Sequence, residues 1–144
     1  MNQLKNIVVG VDFSECSRCA LDQAVRLARW NSARLHVIHA IESLVITEAA
    51  EALQLSIEKT QADTVRQAGD RLQTWIGEVG AAAETSVVVS IGPPIEILLS
   101  SLRTVRADLV VLGVTAWQWI KRAAPEAPPP SQPLAASATA QAAV

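Results

Sequence analysis

The fold is decided by the stretch Asn6-Ile-Val-Val-Gly-Val-Asp-Phe-Ser-Glu15. Apolar residues run almost without a break from Ile7 to Val11, which is typical of a parallel strand covered on both faces. Asp12 follows at the carboxyl end of this strand, and Ser14 is a suitable N-cap for the helix that begins there. Because ligands of open α/β sheets bind beyond the carboxyl ends of the strands, Asp12 is the first candidate binding residue.

Strands and helices alternate along the rest of the chain. The hydrophobic periodicity predicts a helix over 14–31, a strand over 34–39, a helical region over 44–78, a strand over 85–90, a helix from Pro94 and a strand over 109–113. The polar stretch 58–63 is a candidate kink or break in the long helical region, and Gly77 and Gly80 are expected to end it. The alternation predicts an α/β fold with an open, mostly parallel sheet and helices on both faces.

Composition and charge exclude several classes of protein. The chain has 144 residues and a net charge of −2, with no basic patch, so a single domain is expected and nucleic-acid binding is not. No apolar run in the sequence is long enough to span a bilayer, and we expect no signal peptide. We therefore expect no membrane association and a location in the reducing cytoplasm, where Cys16 and Cys19 would be thiols.

The composition changes after Gly113. Residues 123–144 are rich in alanine and proline, and Pro128-Pro-Pro130 fits neither a helix interior nor a central strand. We expect an α/β domain over 1–122 and a disordered Ala/Pro-rich tail over 123–144. No strand is predicted beyond Gly113, which would leave Leu109–Leu112 at the edge of the sheet.

Four segments occur in an order and at intervals that are specific when taken together: Val9–Glu15, Leu35–His39, Gly92–Leu98 and Ala107–Gly113. They resemble the first strand and helix, the second strand, the Gly-x-Pro turn and the fourth strand of the universal stress protein family. The resemblance covers roughly 5–113 and implies a Rossmann-like sheet of order 3-2-1-4-5. With the fifth strand apparently absent, the expected order is 3-2-1-4. The resemblance also implies a regulatory function in the stress response and no enzymatic reaction.

Some members of that family bind ATP, and the resemblance implies where a ligand would lie. The positions that match the family's adenosine site are Val11, Asp12, Ile38, Leu112 and Gly113. In the family, a glycine motif after the fourth strand, Gly-x-x-Gly-x9-Gly-Ser/Thr, holds the phosphates. Gly113 matches its first glycine, but Ala116 stands at the second position and no glycine follows. We expect weak binding of an adenine nucleotide, ATP or AMP, with ATP bound no better than AMP.

Other interpretations compete with this one. Cys16 and Cys19 form a C-x-x-C pair at the start of a helix, which would suit a thiol-redox module. A degenerate fragment that binds nothing is a third hypothesis. His36 and His39 are three apart on a strand, so they point to opposite faces and cannot share a metal ion. No metal site and no catalytic arrangement is predicted.

The fourth strand also bears on assembly. Leu109–Leu112 is apolar and has no Lys or Pro to hinder pairing, and exposed edges of this kind invite association. We therefore expect a homodimer, or pairing with an intact family member, through strand 4.

Overall fold

A computed structural model of the protein describes residues 3–80, 84–113 and 137–141. The elements, in chain order, are β1 (Asn6–Gly10), α1 (Glu15–Asn31), β2 (Arg34–Ile41), α2 (Ser43–Leu53), α3 (Ile57–Val79), β3 (Thr85–Ile91), α4 (Pro94–Val105), β4 (Leu109–Gly113) and β5 (Ser137–Gln141).

The sheet has the order β3-β2-β1-β4-β5. β1 lies between β2 and β4 and is parallel to both, and β3 is parallel to β2. The chain moves from β1 to β2 and β3 on one side and returns to place β4 on the other. The order of strands therefore reverses between β1 and β4, where α/β sheets of this type bind ligands. The predicted fold class and the order 3-2-1-4 are confirmed.

Helices cover both faces of the sheet, as the apolar run in β1 predicts. Ile7 and Val9 belong to a core that includes buried residues of α1 and α3, such as Leu21 and Leu72. Val8 points the other way, into a second core that includes residues of α4. Ile7, Val8 and Val9 are all fully buried, which explains why the sequence of β1 does not alternate between apolar and polar residues.

The long helical region is two helices rather than one. α2 ends at Gln54, which adopts a left-handed conformation with φ 55°. Ser56 then begins α3, because its hydroxyl accepts a hydrogen bond from the Lys59 N–H at 3.2 Å. The break therefore comes before the predicted stretch 58–63, which lies inside α3. Gly80 caps the end of α3 as expected, whereas Gly77 lies within the helix.

The expectation that the sheet lacks a fifth strand is corrected by β5. This strand pairs antiparallel with β4 along its whole length, from Leu109 opposite Gln141 to Gly113 opposite Ser137. Its sequence, Ser-Ala-Thr-Ala-Gln, alternates polar residues with alanine alone, and alanine within an alanine-rich segment is too weak a signal to predict a strand. β4 is consequently not the edge of the sheet. The rest of the division into residues 1–122 and 123–144 stays a prediction, since residues 114–136 and 142–144 lie outside the described part.

Candidate functional site

The turn after β1 is held by the side chain of Asp12. Its Oδ1 atom accepts a hydrogen bond from the Ser14 N–H at 2.9 Å and another from the Ser14 hydroxyl. The Ser14 hydroxyl oxygen in turn accepts from the Ser17 N–H at 3.1 Å and so caps α1. Among the described residues, the Oδ2 atom of Asp12 has no hydrogen-bond partner. One carboxylate oxygen therefore fixes the turn while the other is available to a ligand.

Phe13 lies in this turn with φ 65°, a left-handed conformation that is costly for a residue with a bulky side chain. The conformation directs its ring toward β2 and α3. The ring centroid lies 4.6 Å from that of His39 and 5.3 Å from that of Trp75, the second contact being edge-to-face. The strained turn thus builds an aromatic cluster beside the carboxylate of Asp12.

Two arginines pack on this cluster and differ in their partners. The Arg71 guanidinium lies 4.2 Å from the centroid of the Phe13 ring, and that of Arg18 lies 5.0 Å from Trp75. Arg18 also donates to a carboxylate oxygen of Glu78 at 2.6 Å. Arg71 makes no ion pair within the part of the chain that the structure describes.

His39 completes the cluster as a neutral imidazole. Its Nδ1 atom lies 2.6 Å from the carbonyl oxygen of Val11, and because a carbonyl can only accept, Nδ1 carries the proton. Burial lowers the pKa of His39 below its usual 6.5, and Arg71 acts in the same direction. The hydrogen bond to Val11 and the charge of Asp12 raise it by less. The ring is thus uncharged at neutral pH.

These residues line a cavity of about 430 Å³ between the carboxyl ends of β1 and β2 and the helices α2 and α3. A volume of this size suits a small molecule. The described lining consists of Asp12, Phe13, His39, Ala40, Ile41, Glu42, Val45, Thr64, Gln67, Ala68 and Arg71. We call it the Asp12 cavity.

The five residues predicted to surround a ligand do not all reach this cavity. Only Asp12 lines it. Val11, Ile38 and Leu112 are at most 4% exposed, and Val11 faces the opposite side of the sheet from the other two. The Val11 N–H also donates to the Ile38 carbonyl oxygen at 2.9 Å. Gly113 lies against the first turn of α1, where an added Cβ would be 2.9 Å from the backbone of Cys16 and Ser17.

Sequence reasoning missed Phe13, Trp75 and Arg71. Phe13 directly follows Asp12 and is the only phenylalanine in the chain, so its position was a usable signal. Trp75 lies at helical spacing from Leu72 and packs against the core, so its contact with Phe13 has no signal of its own in the sequence. The position of Arg71 depends on how α3 is rotated against the sheet, which no local pattern determines.

Two other depressions are less suited than the Asp12 cavity to bind the kind of ligand that α/β folds usually bind. One of about 780 Å³ lies at the amino ends of the strands and is lined by charged residues including Arg34 and Glu84, which form an ion pair at 2.6 Å. The other, of about 490 Å³, lies between β3 and α4. The carboxyl ends of the strands, where Asp12 lies, are where such sheets collect ligands.

The remaining predicted groups are placed as follows. Cys16 is half-buried and Cys19 is exposed, and both are free thiols. His36 contacts Ser86 and Asn6, whereas His39 contacts Phe13 on the other face, as strand alternation predicts. Among the described residues, no group of three or more His, Cys, Asp or Glu side chains is placed to hold a metal ion.

The strand order and the helices on both faces of the sheet define a Rossmann-like α/β domain. A family model of the universal stress protein family matches residues 3–125, and the chain belongs to this family. It is therefore a stress-response regulatory module of the universal stress protein type. Members of the family are generally regulatory proteins rather than enzymes, and they are often homodimers.

Solved structures of similar fold include universal stress proteins. Universal stress protein UspA from Lactobacillus plantarum is 19% identical, with a TM-score of 0.65 over 87% of this chain and 95% of that one. The hypothetical protein MJ0577 is 18% identical, with a TM-score of 0.64 over 78% and 76%. A universal stress protein in complex with cAMP is 25% identical, with a TM-score of 0.50 over 76% and 71%. No curated protein sequence matches the chain.

No helix among the described residues is both long enough and apolar enough to cross a membrane.

Proposed function

We propose that this stress-response module binds an adenine nucleotide, weakly, in the Asp12 cavity. The observation that carries the proposal is the position of Asp12, which lines a cavity of small-molecule size at the carboxyl edge of the sheet and whose Oδ2 atom has no hydrogen-bond partner among the described residues. A universal stress protein that is 25% identical has been crystallised with cAMP, an adenine nucleotide, which favours the same chemical class here.

The chemistry of the cavity suits a nucleoside. A carboxylate oxygen without a protein donor accepts hydrogen bonds from a pair of ribose hydroxyls, and such charge-assisted bonds are among the stronger ones. The strand ends, with Val11, Ile38, Leu112 and Gly113, would support the site from within the domain rather than contact the ligand directly. Their side chains are already buried, and the N–H of Val11 and the carbonyl of Ile38 are already paired with each other.

The triphosphate of ATP has no matching loop in this sequence. Gly113 is the last glycine of the chain, so the glycine motif that holds phosphates in the family is incomplete. Backbone N–H groups in such loops bind phosphate because no side chain hinders their approach. We propose that ATP consequently binds no better than AMP.

The test is isothermal titration of the whole chain with AMP, cAMP and ATP. Asp12→Asn is the informative variant, because its Oδ1 can still accept from Ser14 while an NH₂ group replaces the free oxygen. We expect it to weaken AMP binding at least tenfold, which is about 1.4 kcal/mol. Asp22→Asn, which alters an exposed carboxylate paired with Arg26 on α1, is the matched control and should bind like the original.

Two results would overturn the proposal. One is the absence of binding by all three nucleotides at millimolar concentration to protein shown to be folded. The other is an Asp12→Asn variant that binds AMP as tightly as the original chain. An ATP affinity ten or more times that for AMP would instead show that the sequence after Gly113 does provide a phosphate site.

We further propose that the chain acts by binding and is not an enzyme, and that it resides in the cytoplasm. The thiol-redox alternative gains no support, since neither Cys16 nor Cys19 lines the Asp12 cavity. The degenerate-fragment hypothesis predicts no ligand at all and is decided by the same titration. Pairing with a second copy or an intact family member through β4 would require β5 to leave that strand, so we propose it only for the β5-displaced form.

A further inference from the structure

We propose that Arg71 forms an anion subsite in the Asp12 cavity and makes the site selective for a nucleoside that carries a single phosphate group. The subsite depends on the proposed nucleotide function and specifies which part of the ligand each side of the cavity recognises. In this assignment Asp12 binds the sugar and Arg71 binds the phosphate.

The guanidinium of Arg71 is held in place before any ligand arrives. Its central carbon lies 4.2 Å from the centroid of the Phe13 ring and 5.8 Å from that of Trp75. Stacking on a ring occupies the face of the guanidinium and leaves its N–H edge free to donate. Since Phe13 is fixed by the strained turn after β1, the position of the charge is coupled to that of Asp12.

Arg71 also differs from several other arginines in its ion pairing among the described residues. Four arginines of the described residues are ion-paired, namely Arg18, Arg26, Arg34 and Arg66. Arg71 pairs with no described carboxylate, although it lines the cavity. A planar guanidinium with an unused N–H edge matches two phosphate oxygens at once, which gives both strength and orientation.

The same lining explains why one phosphate is favoured over three. Arg71 is the only arginine or lysine among the described lining residues, and the carboxylates of Asp12 and Glu42 share the cavity with it. The guanidinium compensates one negative charge, which is the whole charge of a cyclic monophosphate and part of that of AMP, whereas further phosphates would add negative charge beside two carboxylates. The carboxylates in turn require hydrogen-bond donors, which ribose hydroxyls supply. The combination specifies a nucleoside monophosphate or a cyclic monophosphate.

The test compares two ligands that differ only in the phosphate. Adenosine and AMP are titrated by calorimetry into the whole chain, at low ionic strength, with Arg71→Gln and Arg66→Gln as variants. Arg66 is the matched control because it lies on α3, is exposed and pairs with Asp63 outside the cavity. We expect AMP to bind at least tenfold tighter than adenosine to the original chain and to Arg66→Gln. In Arg71→Gln the two ligands should bind with equal affinity.

Added salt provides a second readout. Raising the ionic strength should weaken AMP binding to the original chain and leave adenosine binding nearly constant, because only the phosphate contact is screened. Thermal melting establishes that Arg71→Gln is folded. If it is not, Arg71→Lys replaces it, and the retained charge without the planar fork should keep part of the preference for AMP.

The outcomes separate the subsite from the proposed function. If adenosine binds and AMP binds no tighter, the Arg71 subsite is refuted while the nucleoside site stands. If AMP is preferred equally by the original chain and by folded Arg71→Gln, another group holds the phosphate and the subsite is again refuted. If neither ligand binds, the proposed function fails and the subsite fails with it.

Discussion

Replacing Gly113 by alanine tests how closely β4 approaches the helix that follows the Asp12 turn. An added Cβ at this position would lie 2.9 Å from the carbonyl carbon of Cys16 and 2.9 Å from the nitrogen of Ser17. Both are backbone atoms in the first turn of α1, so they cannot rotate away as a side-chain tip can. Ordinary contact begins at 3.4 Å, so the helix end must move by about 0.5 Å (3.4 minus 2.9).

The cost follows from two opposing effects. Overpacking of a well-packed region costs about 1–3 kcal/mol, and the loss of glycine freedom in the unfolded chain returns about 0.4–1 kcal/mol. We expect Gly113→Ala to lower the free energy of unfolding by about 1–2 kcal/mol. Moving the first turn of α1 should also disturb the Ser14 cap and its bond to Asp12, so AMP binding should weaken in the same variant.

Gly10→Ala is the matched comparison. Its Cβ would lie 2.8 Å from the Leu112 Cδ2 atom, which is numerically closer than any contact at Gly113. That atom is the end of a flexible side chain, so we expect a cost of less than about 1 kcal/mol. Both variants are measured by urea denaturation at 25 °C. Gly113→Ala as stable as the original chain, or less damaging than Gly10→Ala, would refute the close approach of β4 to α1.

Three further predictions concern stability and assembly. Asp108 accepts hydrogen bonds from two backbone N–H groups at the start of β1, at 2.9 Å each, so Asp108→Ala should cost about 1 kcal/mol in urea denaturation. These bonds, chiefly the one from Asn6, lower the pKa of Asp108 below its usual 3.8. As pH falls below that value, the original chain should lose this stabilisation, whereas Asp108→Ala has no carboxylate and should not. Burial lowers the pKa of His36 and of His39, so the unfolded chain binds protons at a higher pH than the folded chain does. The free energy of unfolding should therefore decrease as pH falls through 6.5, by at most about 1.4 kcal/mol per pH unit for each ring. A flat unfolding free energy between pH 7.5 and 5.5 would contradict this. Because β5 covers β4, the whole chain should sediment as a monomer. Removal of residues 137–144 should expose β4 and promote self-association. A dimer of the whole chain would show that β5 does not protect that edge.

Local sequence patterns were sufficient to predict the elements of the fold that have such a pattern. The apolar run of β1, the Ser14 cap and the Pro94 start of α4 each have a sequence signal, and each is in place. The break between α2 and α3 was predicted too far along the chain. The actual break depends on Gln54 in a left-handed conformation, a position where glycine would be the usual signal. β5 was missed because its pairing with β4 joins segments far apart in sequence, and because an alternation built on alanine alone is a weak signal in an alanine-rich segment.

The candidate site was predicted only in its first residue. Asp12 follows from its place after a buried strand, which is a rule of position in α/β sheets. The other four predicted residues came from the resemblance. Three of them have side chains in the core, and the backbone of Gly113 lies against α1. Phe13 and Arg71 meet because of a strained backbone angle and the rotation of a long helix, and neither is encoded in a short motif.

The location of the bound nucleotide tests the account most directly, and amide chemical shifts measured during titration with AMP reveal it. We predict that the largest changes occur at the Asp12–Ser14 turn, at His39 and around Arg71, with little change at Asn31–Arg34 at the amino ends of the strands. Changes confined to the amino-end depression, or to the groove between β3 and α4, would contradict the assignment of the Asp12 cavity as the ligand site.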